Sequence, residues 1–296
     1  MKDTFSDCHP LINFGFLLVV ILFSMCFLQP VYLVIALAAA FTYSVYLNGK
    51  RGLKFNLLIC LPMLILAMIL NPLFTHEGAT ILGYFWNGNP LTLESIFYGC
   101  ASATMFVAVI MWFSCYNAIM TSDKFIYLFG RLIPSISLVF SMIMRFVPKF
   151  RNQAKIIANG QKCIGRDPMT GNFRQRLRNG VRIMSILITW GLENGIETAD
   201  SMRSRGYGLK GRTSFSIFRF DTRDKLLGAL LGVVLLLTFV PIALGSVYIV
   251  YYPEFIINPV SGTALVNYIA YGIFCFMPML LNITEDIKWR VLKSKI

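Results

Sequence analysis

Glu193, Glu197 and Asp200 stand at steps of four and three, the spacing that brings side chains to one face of a helix. Grouped carboxylates can hold divalent metal ions for phosphoryl chemistry. Here arginines lie nearby and no histidine accompanies the set, a pattern that more often marks a solvated helix face. His9 and His76 are the only histidines, and the topology argued below puts them on opposite sides of a membrane, so they cannot share a metal. Cys8, Cys26, Cys60, Cys100, Cys115, Cys163 and Cys275 show no C-x-x-C spacing and no disulfide framework; they read as small apolar packing residues. The stretch Gly206-Tyr207-Gly208-Leu209-Lys210-Gly211 lacks the G-x-x-x-x-G-K-[ST] spacing that wraps backbone amides around phosphates. ATP hydrolysis by that route is excluded, and the sequence calls for no cofactor.

What remains is cationic. Between Arg145 and Lys225 lie 17 of the 27 Lys and Arg residues against six acids, a local balance of +11 in a chain of net charge +13. Within this block Phe173, Leu177, Val181, Met184, Ile188, Leu192, Ile196, Ala199 and Met202 recur at steps of four or three, which predicts one long helix with a continuous apolar stripe. Gly206 and Gly208 stop it, since glycine takes the left-handed conformation of a helix end. Arg203 and Arg205 then sit in the last turn, where their charge complements the helix dipole. A second helix is expected from Pro134 or Arg145 through Gly160, ending in Gln161-Lys162-Cys163-Ile164-Gly165-Arg166-Asp167. For Arg174, Arg176, Arg178 and Arg182, topology and attraction to anionic lipid head groups are sufficient reasons. No nucleic-acid partner is expected, because the aromatics are not interleaved as stacking platforms.

The elements that must position these residues follow from composition. Of 296 residues 56% are hydrophobic and 14% charged, whereas a soluble domain carries about a quarter charged. Apolar runs of about twenty residues read as membrane spans: Leu11 to Leu28, Pro30 to Leu47, Phe55 to Phe74, Ser95 to Cys115, Leu226 to Tyr252 and Ala264 to Ile283. Leu132 to Met144 is apolar but short for a span. The first run is no cleavable signal peptide, since Lys2, Asp3 and Asp7 precede it and another span follows at once. Pro62 and the Asn71-Pro72 pair bend or end the third helix. Lys50, Arg51 and Lys54 put the second connection in the cytoplasm, as Lys288, Arg290, Lys293 and Lys295 do for the C-terminus, while Thr75 to Leu93 has no Lys or Arg. The expectation is an all-α integral membrane protein with about six transmembrane helices, a multi-pass protein of the cell membrane with both termini cytoplasmic. Its regions are 1–131 (transmembrane), 132–225 (cytoplasmic or interfacial amphipathic helices) and 226–296 (a transmembrane hairpin). None of the six runs holds a titratable Asp, Glu, Lys or Arg, which argues against a self-powered transporter.

Ala199-Asp200-Ser201-Met202-Arg203-Ser204-Arg205-Gly206-Tyr207-Gly208 resembles the second coupling motif of the transmembrane T component of energy-coupling factor transporters, whose core is Ala-Arg-Gly. Asn71-Pro72-Leu73-Phe74 with Gly78, Arg145-Phe146-Val147-Pro148, and Gln161 with Gly165 extend the similarity over nearly the whole chain. The resemblance implies a non-catalytic subunit whose two coupling helices dock on two cytoplasmic ABC-type ATPase subunits. It also implies a small membrane subunit, the S component, that captures a vitamin or metal ion. In that likeness Arg205 is the second docking arginine, with Arg203, Ser204 and Gly206 beside it. The first motif departs: aligning Gln161 and Gly165 puts Cys163 at the alanine position and Ile164 at the arginine position. Either Arg166 takes over through a shifted helix end, or the first site relies on shape and Ile164. The alternative reading is a membrane-embedded enzyme or scaffold whose basic region binds lipid head groups or another protein.

Overall fold

A computed structural model of the chain describes residues 3–84, 88–130, 134–207, 209, 218, 220–243, 245, 248–257 and 262–294. Lys2, Leu132, Gly208, Lys210, Gly211 and Lys295, singled out above, lie outside the described residues. Among the described residues the fold is all-α apart from two short antiparallel hairpins. The helices are α1 (Pro10–Cys26), α2 (Pro30–Asn48), α3 (Lys50–Phe74), α4 (Leu93–Ile119), α5 (Ser122–Gly130), α6 (Pro134–Cys163), α7 (Phe173–Ser204), α8 (Thr222–Ala243) and α9 (Gly262–Lys293). Strands β1 (Ile81–Tyr84) and β2 (Pro90–Thr92) follow α3, and β3 (Ile249–Val250) and β4 (Ile256–Ile257) follow α8.

The chain forms two units, residues 1–125 with 218–296, and residues 126–217. In the first, α4 packs on α1, α2 and α3, while α9 packs on α2 and α8. Small residues let these backbones approach: Ala36, Ala39 and Ala40 of α2 and Ala101, Ala103 and Ala108 of α4 are fully or nearly fully buried. Gly99 shows how tight the α3–α4 contact is, because a Cβ there would lie 3.0 Å from Asn71 Cβ and 3.2 Å from Pro72 Cδ. Phe5, Phe16, Tyr32, Tyr43, Trp112, Tyr271 and Phe274 fill the middle, with rings meeting edge to face, as between Phe5 and Phe16 at 5.2 Å.

Helix starts are written in the sequence. Pro10 and Pro30 open α1 and α2 at positions that need no amide donor, and Thr92 caps α4 by accepting from the Ser95 amide at 3.4 Å. α3 widens to a π turn at Asn56–Cys60 and ends at Phe74, two residues past Pro72.

Among the described residues α2, α3, α4 and α9 are long and apolar enough to cross a membrane, and α1 is a shorter apolar helix of 17 residues. Only 11% of the apolar window of α3 is buried, against 39% in α2 and α4, so α3 presents most of its apolar surface outward. The run expected at Leu226 to Tyr252 forms a helix that starts four residues earlier and stops at Ala243. Pro241 in its last turn and Gly245 just beyond, at φ +70°, supply the usual terminators.

Candidate coupling site

The second unit is built on two long helices. α6 is continuous over 30 residues, so the described part of the short apolar segment, from Pro134 to Met144, forms its opening turns. α7 is continuous over 32 residues, starting where Asn172 Oδ1 accepts the Phe173 amide at 3.1 Å. The helices pair at one crossing. Phe150 meets Trp190 edge to face at 5.4 Å, and Lys149 Nζ donates to Asn194 Oδ1 at 2.8 Å while lying 5.5 Å from the Trp190 ring centre. Gly191 makes the approach feasible: a Cβ at that residue would lie 2.8 Å from Phe150 Cζ.

Both helices finish in the same way. At the end of α7 the Tyr207 amide donates to Met202 O at 3.1 Å and the Gly206 amide to Arg203 O at 3.1 Å, with Gly206 at φ +79°. At the end of α6 the Arg166 amide donates to Gln161 O at 2.9 Å and the Gly165 amide to Lys162 O at 3.0 Å, with Gly165 at φ +73°. Each is a full Schellman closure, the 6→1 and 5→2 bonds around a left-handed glycine. Residue by residue, Gln161 corresponds to Met202, Lys162 to Arg203, Cys163 to Ser204, Ile164 to Arg205, Gly165 to Gly206 and Arg166 to Tyr207. On this correspondence Ile164, 63% exposed, matches Arg205, and Arg166 falls beyond the glycine.

The two ends are open to solvent. Arg203, Ser204 and Arg205 are exposed and Gly206 half-buried, as Arg166 and Gly165 are exposed and Gln161 half-buried. Ser204 Oγ donates back to Ser201 O at 2.9 Å, and Arg205 follows as the exposed C-cap residue of α7. The loop from α6 to α7 is held by side chains that sequence reading had not singled out for it. Asn179 Nδ2 donates to Asp167 O at 3.1 Å, the Met169 amide donates to Asp167 Oδ1 at 2.9 Å, and Lys162 Nζ lies 3.5 Å from Asp167 Oδ2. A 32-residue α7 is about 48 Å long, and it starts just past the Ile164 turn, so Arg205 stands a helix length away from that start.

The apolar stripe of α7 is uncovered: Phe173, Leu177, Val181, Met184, Ile188, Leu192 and Ile196 are all more than half exposed. Glu193, Glu197 and Asp200 are exposed as well, as expected of a solvated face.

No family model matches the chain. Comparison with curated proteins finds relatives of one description. The chain is 26% identical over 221 residues to the "Energy-coupling factor transporter transmembrane protein EcfT" of Exiguobacterium sibiricum, a match covering 69% of this chain and 84% of that protein. It is 23% identical over 229 residues to the protein of that name from Macrococcus caseolyticus, covering 73% and 79%. The protein of that name from Lactococcus lactis subsp. cremoris is 30% identical over 96 residues, or 32% of this chain and 36% of that one. The chain is therefore a homologue of the transmembrane proteins of energy-coupling factor transporters.

Proposed function

We propose that this chain is the energy-coupling scaffold, the T component, of an ABC-type importer of the energy-coupling factor class, carrying ATP-driven motion from two cytoplasmic ATPase subunits to a membrane subunit that captures a vitamin or metal ion. The observation that carries this reading is the pair of matched helix ends, each projecting one side chain from a Schellman turn at opposite ends of a long α7 and its preceding loop. Arg205 is the docking cation of the second end, with Arg203 beside it and Ser204 and Gly206 permitting close backbone approach. At the first end Ile164 stands in the docking position, Gln161 and Gly165 shape the turn, and Arg166 adds charge at its margin.

The chain does no chemistry in this scheme. Hydrolysis belongs to the ATPases, and the basic surface suits acidic grooves on them. The distribution of Lys and Arg favours cytoplasmic termini and six crossings of the cell membrane. The outward apolar surface of α3 and the stripe of α7 supply area for lipid and for the capture subunit.

A different reading rests on one observation. Arg174, Arg176, Arg178 and Arg182 alternate with the exposed Phe173, Leu177 and Val181, the composition of a helix lying on an anionic lipid surface. The test compares Arg205→Ala with Arg178→Ala, each co-expressed with the ATPase and capture subunits, by membrane level, ATPase copurification and substrate uptake. The coupling reading expects loss of uptake for Arg205→Ala alone. Equal uptake by both at the unmodified level overturns it in favour of a lipid-bound scaffold.

A further inference from the structure

Residues 3–9 precede the first helix and carry no motif, yet they make a dense polar contact within the first unit. Asp3 is its centre. Asn282 Nδ2 of α9 donates to Asp3 Oδ1 at 2.5 Å, Tyr43 Oη of α2 to Asp3 Oδ2 at 3.0 Å, and the Ser6 amide to Asp3 Oδ2 at 3.1 Å. The Thr4 amide returns to Asn282 Oδ1 at 2.8 Å. Asn13 Nδ2 of α1 then ties the segment to its own helix through Ser6 O at 3.3 Å and Cys8 O at 3.2 Å.

The other end of these contacts is informative. The chain leaves the first unit at Phe125 and re-enters it at Phe218, and residues 3–9 hold both crossings. On the way out, Lys124 is only 7% exposed. Its ammonium donates to Ser6 O, to Ser6 Oγ at 3.2 Å and to Ile119 O at 3.1 Å, the last carbonyl of α4, where a cation meets the negative end of the helix dipole. Burial holds the Lys124 pKa below the usual lysine range, with Asp7 and Asp3 opposing that shift.

On the way back, Asp224 is 6% exposed. One of its oxygens accepts the Asp221 amide at 3.1 Å, the reciprocal half of a capping box at the start of α8. The other accepts the His9 amide at 3.1 Å. The His9 ring meets Phe220 at 4.9 Å, while its Nδ1 accepts the Leu11 amide at 3.2 Å. Arg223 pairs with Glu285 of α9, so the re-entry is anchored from two sides.

We infer that residues 3–9 form a clasp that fixes both chain crossings to the helical bundle at once, with Lys124 and Asp224 as the side chains through which each crossing is held. A charged ammonium and a carboxylate, each nearly buried and each satisfied by the same short segment, couple the two crossings energetically, because freeing one leaves the segment that holds the other without its anchor.

Hydrogen exchange on the full chain in lipid nanodiscs tests this within the one chain, whatever its ATPase partners are. Lys124→Met is expected to speed exchange about tenfold not only at Thr121–Phe125 but also at Asp221–Lys225, with α2 and α4 unchanged. Asp224→Asn is expected to do the converse, and Lys124→Arg to restore protection at both. Loosening confined to the mutated crossing overturns the clasp, as does uniform loosening of the bundle with a lowered melting temperature. If Lys124→Met fails to insert, Asp3→Asn preserves size while removing the charge, and the same outcomes decide.

Discussion

Ile164 and Arg205 occupy the same hydrogen-bonded position in two Schellman turns, one presenting an aliphatic side chain and the other a guanidinium. Since the backbone frames match, on the proposed coupling role any difference between the two docking contacts lies in these two side chains. Charge-assisted contacts weaken as salt rises, and apolar contacts do not. The Arg205 end is therefore expected to release its partner ATPase between low and high ionic strength while the Ile164 end holds. Ile164→Asp should reverse the behaviour of the first end alone. Arg205→Ala should cost about 2 to 5 kcal/mol of docking, because a partner carboxylate is left unpaired. Retention of each ATPase on immobilised chain across a salt series checks this.

Gly165 and Gly206 both need positive φ, but they differ in room. A Cβ at Gly165 meets nothing within 4 Å, whereas at Gly206 it would lie 3.1 Å from Leu209 Cδ1. Gly165→Ala is expected to cost about 1 kcal/mol from backbone strain alone, and Gly165→Asn less, since asparagine tolerates this conformation better. Gly206→Ala should cost more, because Leu209 must also move. Exchange protection of the last turn of each helix reports the order.

Gly191→Val should push Phe150 off Trp190 and separate α6 from α7, at about 1 to 3 kcal/mol. A cysteine pair placed across the crossing, at Lys149 and Asn194, would cross-link in the parent background and lose efficiency in the valine variant. Unchanged cross-linking would show that the phenyl ring yields without parting the helices.

Native cysteines supply a labelling test. Cys163, at the end of α6, is exposed. Cys8 is buried, and burial with the nearby Asp224 carboxylate pushes its thiol up to about 11. Its folded-state pKa is raised, so the reactive thiolate stays scarce below about pH 11 and increases as pH rises through that value. A membrane-impermeant maleimide applied at pH 7 to the cytoplasmic face is expected to modify Cys163 and spare Cys8, and to miss Cys26 at the far end of α1. Bound ATPase subunits should shield Cys163. Labelling of Cys26 from the same face would overturn the proposed topology.

Local elements were the most legible from sequence. The apolar stripe from Phe173 to Met202 and the glycine after Arg205 define α7 to within a residue or two, because period and terminator are properties of neighbouring residues. The departure of the first motif was visible as Ile164 standing where an arginine was expected. Its meaning was not: a shifted and an unshifted helix end share one sequence, and only the Arg166 to Gln161 hydrogen bond separates them. The contacts of residues 3–9 were illegible for a different cause. Asp3, Lys124, Asp224 and Asn282 are polar residues of four different segments, and their association joins positions up to 279 residues apart. No pattern of spacing records such a contact, and the close approach at Gly191 is hidden from sequence for the same reason.

The clasp has a consequence for how the chain is made. Asp3 and Tyr43 are made before α9, and Asn282 follows Asp3 by 279 residues, on the order of tens of seconds at ordinary synthesis rates. In the later part of that interval α6 and α7, with the uncovered apolar stripe of α7, already exist while Asp3 still lacks Asn282. Closure thus waits for Asn282, well inside α9. A chain stalled before α9 would keep Asp3 on Tyr43 and the Ser6 amide but without Asn282, and would lack the Arg223–Glu285 pair beside Asp224, a difference by which membrane quality control could tell an unfinished copy from a finished one.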